Sequence, residues 1–269
     1  QLLVPHWREG QHRLWVVTDP AVIESVQQAM HDKPLVIADG HHRYETALAL
    51  RDVMRQQHAS RDRTAPYEYI MMYCANVYDP GVLALPTHRL VSNMPVADLE
   101  AALRRIPWVQ TETHQWARGS ETLRQWQRRL EVLLQQRQNE GSIFSFYAGD
   151  DSCYIVTVSK PAAVQHVQSE GASEGWKQLD VSVLHHGLLP ALQALQPQPS
   201  AAPTITYARA DDDALQAVVD GRCDLAVLMN PTPLESMTTI AMGGERMPQK
   251  STYFYPKLPT GLVLNGFDV

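Results

Sequence analysis

Cysteine is scarce in this chain, long apolar runs are missing, and so is any excess of positive charge. The three cysteines among 269 residues, Cys74, Cys153 and Cys223, lie too far apart for a CxxC pair or a zinc knuckle. Each falls near a strand-like run, where a thiol serves as a small buried apolar residue. A reducing, cytoplasmic setting fits that usage. No apolar run approaches the roughly 20 residues that a bilayer-spanning helix needs, so no membrane role is expected. The formal net charge of −6 argues against a nucleic-acid surface spread over the molecule, although a local basic pocket remains open. Internal repeats and low-complexity tracts are absent as well. Of the 23 basic residues only five are lysine, which leaves the positive charge mainly to arginine, the better bidentate partner of phosphate or carboxylate. The first residue is Gln1, without a basic-then-apolar leader, and the chain is expected to be a fragment lacking an N-terminal segment.

The remaining composition, 44% hydrophobic, is that of a globular protein with ample core, as one large domain or two modest ones. Asp19-Pro20 opens a helix with a capping side chain and proline at its first position. Residues 35–38 and 67–77 read as buried strands, 82–85 as a further strand, and 95–106 and a stretch from about Ser120 as helices. Leu123, Trp126, Leu130, Leu133 and Leu134 form the buried stripe of the second of these. Residues 142–148 and 153–159 flank Gly149-Asp150-Asp151 as a hairpin. Asp180 opens a helix through Leu192, kinked at Pro190. Residues 196–203 are linker-like. A strand at 204–208, a helix at 212–220, a strand at 224–229 and a capping box at Thr232–Glu235 complete the pattern. The class is α/β in the mixed α+β sense, with mixed sheets, crossover helices and at least one β-hairpin. Three regions follow: 1–92, an α/β region; 93–195, an α+β region with the hairpin; and 204–269, a C-terminal α/β region completing the fold.

The most telling stretch runs from Pro34 to Arg43. An apolar run ends at Asp39-Gly40, and Tyr44, Ala47, Leu48, Leu50, Val53 and Met54 then recur at helical spacing. His41, His42 and Arg43 therefore sit where backbone N–H groups at a helix start lack partners. Dipole, free donors and a guanidinium fork can converge there on an anion, with phosphate the natural ligand. A plain turn with two surface histidines fits the same letters. Adjacent histidines diverge too far to chelate one ion, although Asp39 and His41 could join ligands from elsewhere. Residues 243–261 form a second candidate. Arg246, Lys250 and Lys257 stand beside Ser251 and Thr252 in a stretch broken by proline and glycine, as a ligand loop requires. An edge segment with solvated lysines is the alternative.

The phrases ADGHHRYETAL, LPTHRL, LDVSVLHH, LMNPTP and GERMPQKSTYFYPKLPTGLV, in this order, resemble the bacterial and archaeal family known as domain of unknown function 1015. The resemblance extends over nearly the whole chain and assigns no activity. More distantly, the DGHHR turn resembles the phosphate-binding turn of ParB and sulfiredoxin-like proteins, a group that includes free-serine kinases. That likeness covers only Asp39, Gly40, His41, His42 and Arg43.

These readings lead to a nucleotide-binding enzyme, a phosphotransferase acting on a small hydroxylated metabolite, with ATP or ADP and magnesium as cofactors. Gly40 would admit the phosphates, Arg43 would clamp them, and His41 or His42 would serve as donor or acid/base. Asp39 would hold the metal, or else only hydrogen-bond the turn. His88 and Arg89, together with Arg246, Lys250, Ser251, Thr252 and Lys257, are further candidates for the same pocket. His185 and His186 are explained by the flank of an amphipathic helix. Two alternatives stand beside this: a non-catalytic nucleotide-sensing module, and a metal-dependent hydrolase using His41, His42 and His88.

Overall fold

The computed structural model describes residues 2–7, 10–58, 64–196, 202–209, 212–248, 250–259 and 261–266, with backbone alone for 2–7, 10–12 and 58. The chain divides into two compact units, Gln1–Leu83 with Phe254–Val269, and Ala84–Tyr253. Both α and β elements occur, with strand–helix alternation and hairpins. Among the described residues no helix is long and apolar enough to cross a membrane.

In the first unit, β1 (Leu2–Trp7) and β2 (Gly10–Leu14) form an antiparallel pair. Helix α1 (Pro20–Met30) starts as its sequence dictates: Asp19 accepts from the Ala21 N–H at 2.9 Å, and Pro20 supplies a preset φ. Helix α2 (His41–His58) follows the Asp39-Gly40 turn. Arg55 grips Glu68 through two hydrogen bonds, one of them at 2.6 Å, and so ties α2 to the short helical turn Pro66–Glu68. Two expected strands do not form. Residues 33–38 and 69–76 have no regular structure, and Leu35, Ile37, Met71, Met72 and Tyr73 are exposed. Their apolar composition marks a tendency toward burial, but a strand exists only where a neighbour accepts its backbone hydrogen bonds, and no described strand pairs with either segment. Cys74 is consequently exposed, whereas Cys153 and Cys223 are buried as expected.

The second unit is built on a six-stranded sheet in the order β5-β7-β6-β9-β4-β8. These strands are β4 (Thr87–Ser92), β5 (Gln110–Gln115), β6 (Ser142–Tyr147), β7 (Ser152–Val158), β8 (Thr204–Arg209) and β9 (Leu225–Met229), after a short β3 (Leu83–Leu85). Every pairing in the sheet is antiparallel. The predicted hairpin is β6 and β7, turning through Gly149 at φ +100°. Alternate residues feed two cores. Phe144, Phe146, Val156, Val158, Val227 and Met229 face one layer, whereas Ile143, Tyr147, Cys153, Ile155, Ala226 and Leu228 face the other. Coverage on both faces explains why β6, β7 and β9 read as continuous apolar runs. The edge strand β5, with the sequence QTETHQ, is largely solvated and shows no such signal.

Helices α3 (Leu99–Arg104), α5 (Lys160–His166) and α6 (Glu174–Lys177) pack on the first layer, and α4 (Leu123–Gln136) and α9 (Ala214–Val219) on the second. Thr122 and Gln125 form a reciprocal capping box that starts α4. Gln127, buried on α4, accepts from the Leu215 N–H at 3.1 Å and donates to the Asp212 carbonyl at 3.0 Å, which locks α4 to α9. The helix opened by Asp180 is observed in three pieces: α7 (Asp180–Val183), a π-helical turn over Leu184–Leu188, and α8 (Leu189–Ala194). Within the turn the Leu189 N–H reaches back to the Leu184 carbonyl. Pro190 has no N–H for the His186 carbonyl, and Gln168 N–H takes that acceptor instead at 3.1 Å. Helix α10 (Leu234–Met242) begins where the sequence placed it but without the capping box. Thr232 Oγ1 donates to the Ser251 carbonyl instead, at 2.7 Å. The linker-like stretch 196–203 lies mostly outside the described residues.

Leu130 is buried on α4 and Val132, two residues on, is 52% exposed. Leu130→Ala is expected to destabilise the second unit by about 2–5 kcal/mol, and Val132→Ala by no more than about 0.5 kcal/mol. Denaturant unfolding monitored by Trp fluorescence measures both, and equal effects would contradict the assigned face.

Candidate functional site

Gly40 adopts φ +86°, a backbone conformation that L side chains rarely enter. The turn is closed on both sides. Asp39 Oδ1 accepts from the Gly40 N–H at 2.9 Å, and the Gly40 carbonyl accepts from the Tyr44 N–H at 3.0 Å as the first bond of α2. The N–H groups of His41, His42 and Arg43 therefore head the helix, and none has an acceptor among the described residues. The Arg43 side chain folds back across the turn. A Cβ on Gly40 would stand 2.9 Å from Arg43 Nη2 and 3.0 Å from its Nε. Glycine is required here twice, for its φ and for the guanidinium lying against it.

Asp39 is held from the other side by Lys257, whose Nζ donates to Oδ2 at 2.9 Å. Burial acts to raise the Asp39 carboxyl, but Lys257 by hydrogen bond and charge, the Gly40 N–H and the Arg43 charge together outweigh it and hold the group below its ordinary value. Both Asp39 oxygens are thus engaged. Of the two roles expected for this residue, the turn hydrogen bond is observed, and a metal ligand would have to displace Lys257. His41 and His42 are exposed on the first turn of α2, with His42 Nδ1 3.5 Å from Glu45.

The remaining sequence candidates divide between the units. Lys257 belongs with the turn in the first, whereas His88, Arg89, Arg246, Lys250, Ser251 and Thr252 belong to the second. His88 is fully buried. Its Nδ1 accepts from the Met229 N–H at 3.3 Å and its Nε2 meets Glu131 Oε1 at 3.1 Å. Both ring nitrogens are occupied in holding β4, β9 and α4 together, which removes His88 from the metal-hydrolase reading. Among the described residues no three His, Cys, Asp or Glu side chains gather as an ion site.

Arg89 projects from the opposite face of β4 and is 1% exposed. It donates to the carbonyls of Thr87 and Lys250, the latter at 2.9 Å, and from Nε to His185 Nε2 at 3.2 Å. Burial lowers the guanidinium to about 10, so it remains a cation at neutral pH. Burial first, and then the charges of Arg89 and His186, push His185 down to about 4; its ring is neutral and free to accept. Assigning His185 to a helix flank overlooked this contact. The π-helical turn that presents His185 has no direct letter in the sequence apart from the proline that follows it. Arg246, Lys250 and Ser251 are held through their carbonyls. The Trp176 Nε1–H donates to the Arg246 carbonyl at 3.0 Å, Arg89 to that of Lys250, and Thr232 to that of Ser251.

The Asp39–Lys257 contact makes a direct prediction. Because the folded carboxyl is depressed, its contribution to stability is present above the ordinary value of about 3.9 and is lost as pH falls through the lower folded value. An NMR titration of the Asp39 carboxyl is expected to give a midpoint below about 3.9 in the wild type and a higher one in Lys257→Met. Equal midpoints would contradict the contact.

Among solved structures the chain is similar to a conserved hypothetical protein from Pyrococcus furiosus, at 12% identity and a TM-score of 0.38, covering 91% of this chain and 87% of that one. It is also similar to free serine kinase in complex with AMP, at 13% identity and TM-score 0.36, covering 89% and 81%. A mutant of free serine kinase in complex with ADP gives 12% identity and TM-score 0.40, covering 87% and 78%. No curated protein matches. The model of one family, described as protein of unknown function (DUF1015), matches residues 6–182. With about two thirds of its length matched, the chain belongs to this family.

Proposed function

We propose that the Asp39–Arg43 turn binds the phosphates of a nucleotide, and that the protein is a phosphotransferase acting on a small hydroxylated metabolite. One observation carries this reading: the Arg43 guanidinium lies back over Gly40, beside three helix-start N–H groups that have no acceptor among the described residues. A phosphate oxygen placed there would take charge-assisted bonds from the fork and from the backbone, reinforced by the positive end of the 18-residue helix α2. The Lys257–Asp39 pair keeps the turn in this shape and adds a second cation beside it.

Phosphoryl transfer depends mainly on positioning and charge neutralisation, and the turn offers both. Arg43 would hold β- or γ-oxygens. His41 and His42, exposed on the first turn, would donate to the transferring group or exchange its proton. When bound, magnesium would neutralise phosphate charge. Asp39 does not fit as its ligand while both of its oxygens are engaged. The same engagement favours a second reading, in which the turn senses nucleotide without turnover, since Asp39 is not available as a base.

Calorimetric titration of ATP, ADP and CTP with magnesium into the wild type and Arg43→Ala tests the turn. Saturable binding is expected, weakened at least tenfold in the variant. Release of ADP in the presence of small hydroxylated metabolites then separates the kinase from the sensor. No binding to a folded wild type, or binding that Arg43→Ala leaves unchanged, would overturn both.

A further inference from the structure

The second unit carries an arrangement of cations that the turn does not explain. In the β4–β8 ladder, Thr87 lies opposite Arg209 and Arg89 opposite Tyr207, so all four belong to one face of the sheet edge. The guanidinium of Arg89 lies 5.3 Å from the centre of the Tyr207 ring, and that of Arg209 lies 5.1 Å from the Tyr253 ring. Lys250, whose carbonyl Arg89 holds, is exposed and fixed at φ +57°. Two guanidiniums on one face of the sheet edge thus each lie against a tyrosine ring, and the backbone of the exposed Lys250 is tied to the first of them.

None of the three forms an ion pair among the described residues. The Asp212 carboxylate accepts the backbone N–H of Arg209 at 2.7 Å rather than its guanidinium. Arg89 has five N–H groups. Its acceptors among the described residues are two carbonyls and His185 Nε2, which leaves one N–H on each terminal nitrogen without an acceptor there. A buried guanidinium is ordinarily paired with a carboxylate, because neutral acceptors do not compensate its charge.

We propose that this strip, Arg89, Arg209 and Lys250 with Tyr207 and Tyr253, is a second anion site, and that it takes the phosphate group of a small metabolite. The exposed Arg209 and Lys250 donate directly. Arg89 beneath them supplies fixed positive charge and holds the Lys250 backbone in place. A phosphate dianion compensates the three charges better than a single carboxylate does, and its three oxygens match a site with donors on several sides. The inference does not depend on the turn in the first unit.

Inorganic pyrophosphate titrated calorimetrically into the full chain carrying Arg43→Ala isolates this site from the turn. A saturable site is expected to persist. Arg209→Gln and Lys250→Gln in that background should each weaken it about tenfold, and together about a hundredfold, with the circular dichroism spectrum and unfolding midpoint unchanged. Arg89→Gln removes a buried anchor of the loop, so the two exposed positions carry the test. Loss of all pyrophosphate binding on Arg43→Ala, or an affinity that neither exposed substitution moves, would overturn the proposal. Nucleotide binding that disappears with Arg43→Ala while pyrophosphate binding persists would support both sites.

Discussion

The interior of a sheet covered on both faces has no solvent side on which to place polar side chains, and β4 carries two buried ones in succession, His88 and Arg89. His88 and Arg89 point into opposite layers, and each must find partners there or cost several kcal/mol. Much of the second unit's detail answers that constraint. On one face His88 is held by Glu131 of α4 and the backbone of β9. On the other, Arg89 draws in the π-helical turn through His185 and the loop after α10 through Lys250. The layers on the two faces of the sheet are thereby registered on one strand.

The two faces are not equivalent in charge. His88 ends at a carboxylate, whereas Arg89 ends at neutral acceptors. The first arrangement is self-contained and reads as scaffold. The second leaves the buried Arg89 charge without a carboxylate partner among the described residues, which is the basis of the proposed anion site. In the first unit the Asp39–Gly40 turn shows the same logic on a smaller scale: its only carboxylate is engaged with Lys257 and a backbone N–H, while Arg43 and the helix start face outward. Both proposed sites are for negative charge, although the protein as a whole carries a net charge of −6.

How much of this could be read from the letters depended on the kind of signal. Asp19-Pro20, the buried stripe of α4 and the β6–β7 hairpin were legible because periodicity, caps and a glycine turn all agree locally. Thr232–Glu235 marked a helix start correctly, but the Thr232 hydroxyl serves a residue 19 positions away, which no local rule reveals. The segments 35–38 and 67–77 illustrate the converse: apolar composition without a pairing partner produced no strand. Edge strand β5 was missed because its residues are polar on both sides. At the candidate sites, the Asp39–Arg43 turn was legible from glycine and helix phase, and its tie to Lys257, 218 residues away, was not. Arg89 and Lys250 were marked by type alone. That Arg89 meets His185 and Tyr207 follows from strand register and a π-helical turn, both set by tertiary packing.

If the helix start after Gly40 receives phosphate, its backbone amides report it most directly. Titrating inorganic phosphate into uniformly 15N-labelled protein should shift the amide resonances of His41, His42 and Arg43 saturably, with one common dissociation constant. Gly40, already bonded to Asp39, should move less. Amides at 41–43 that stay in place while phosphate is raised well above millimolar levels would contradict the account.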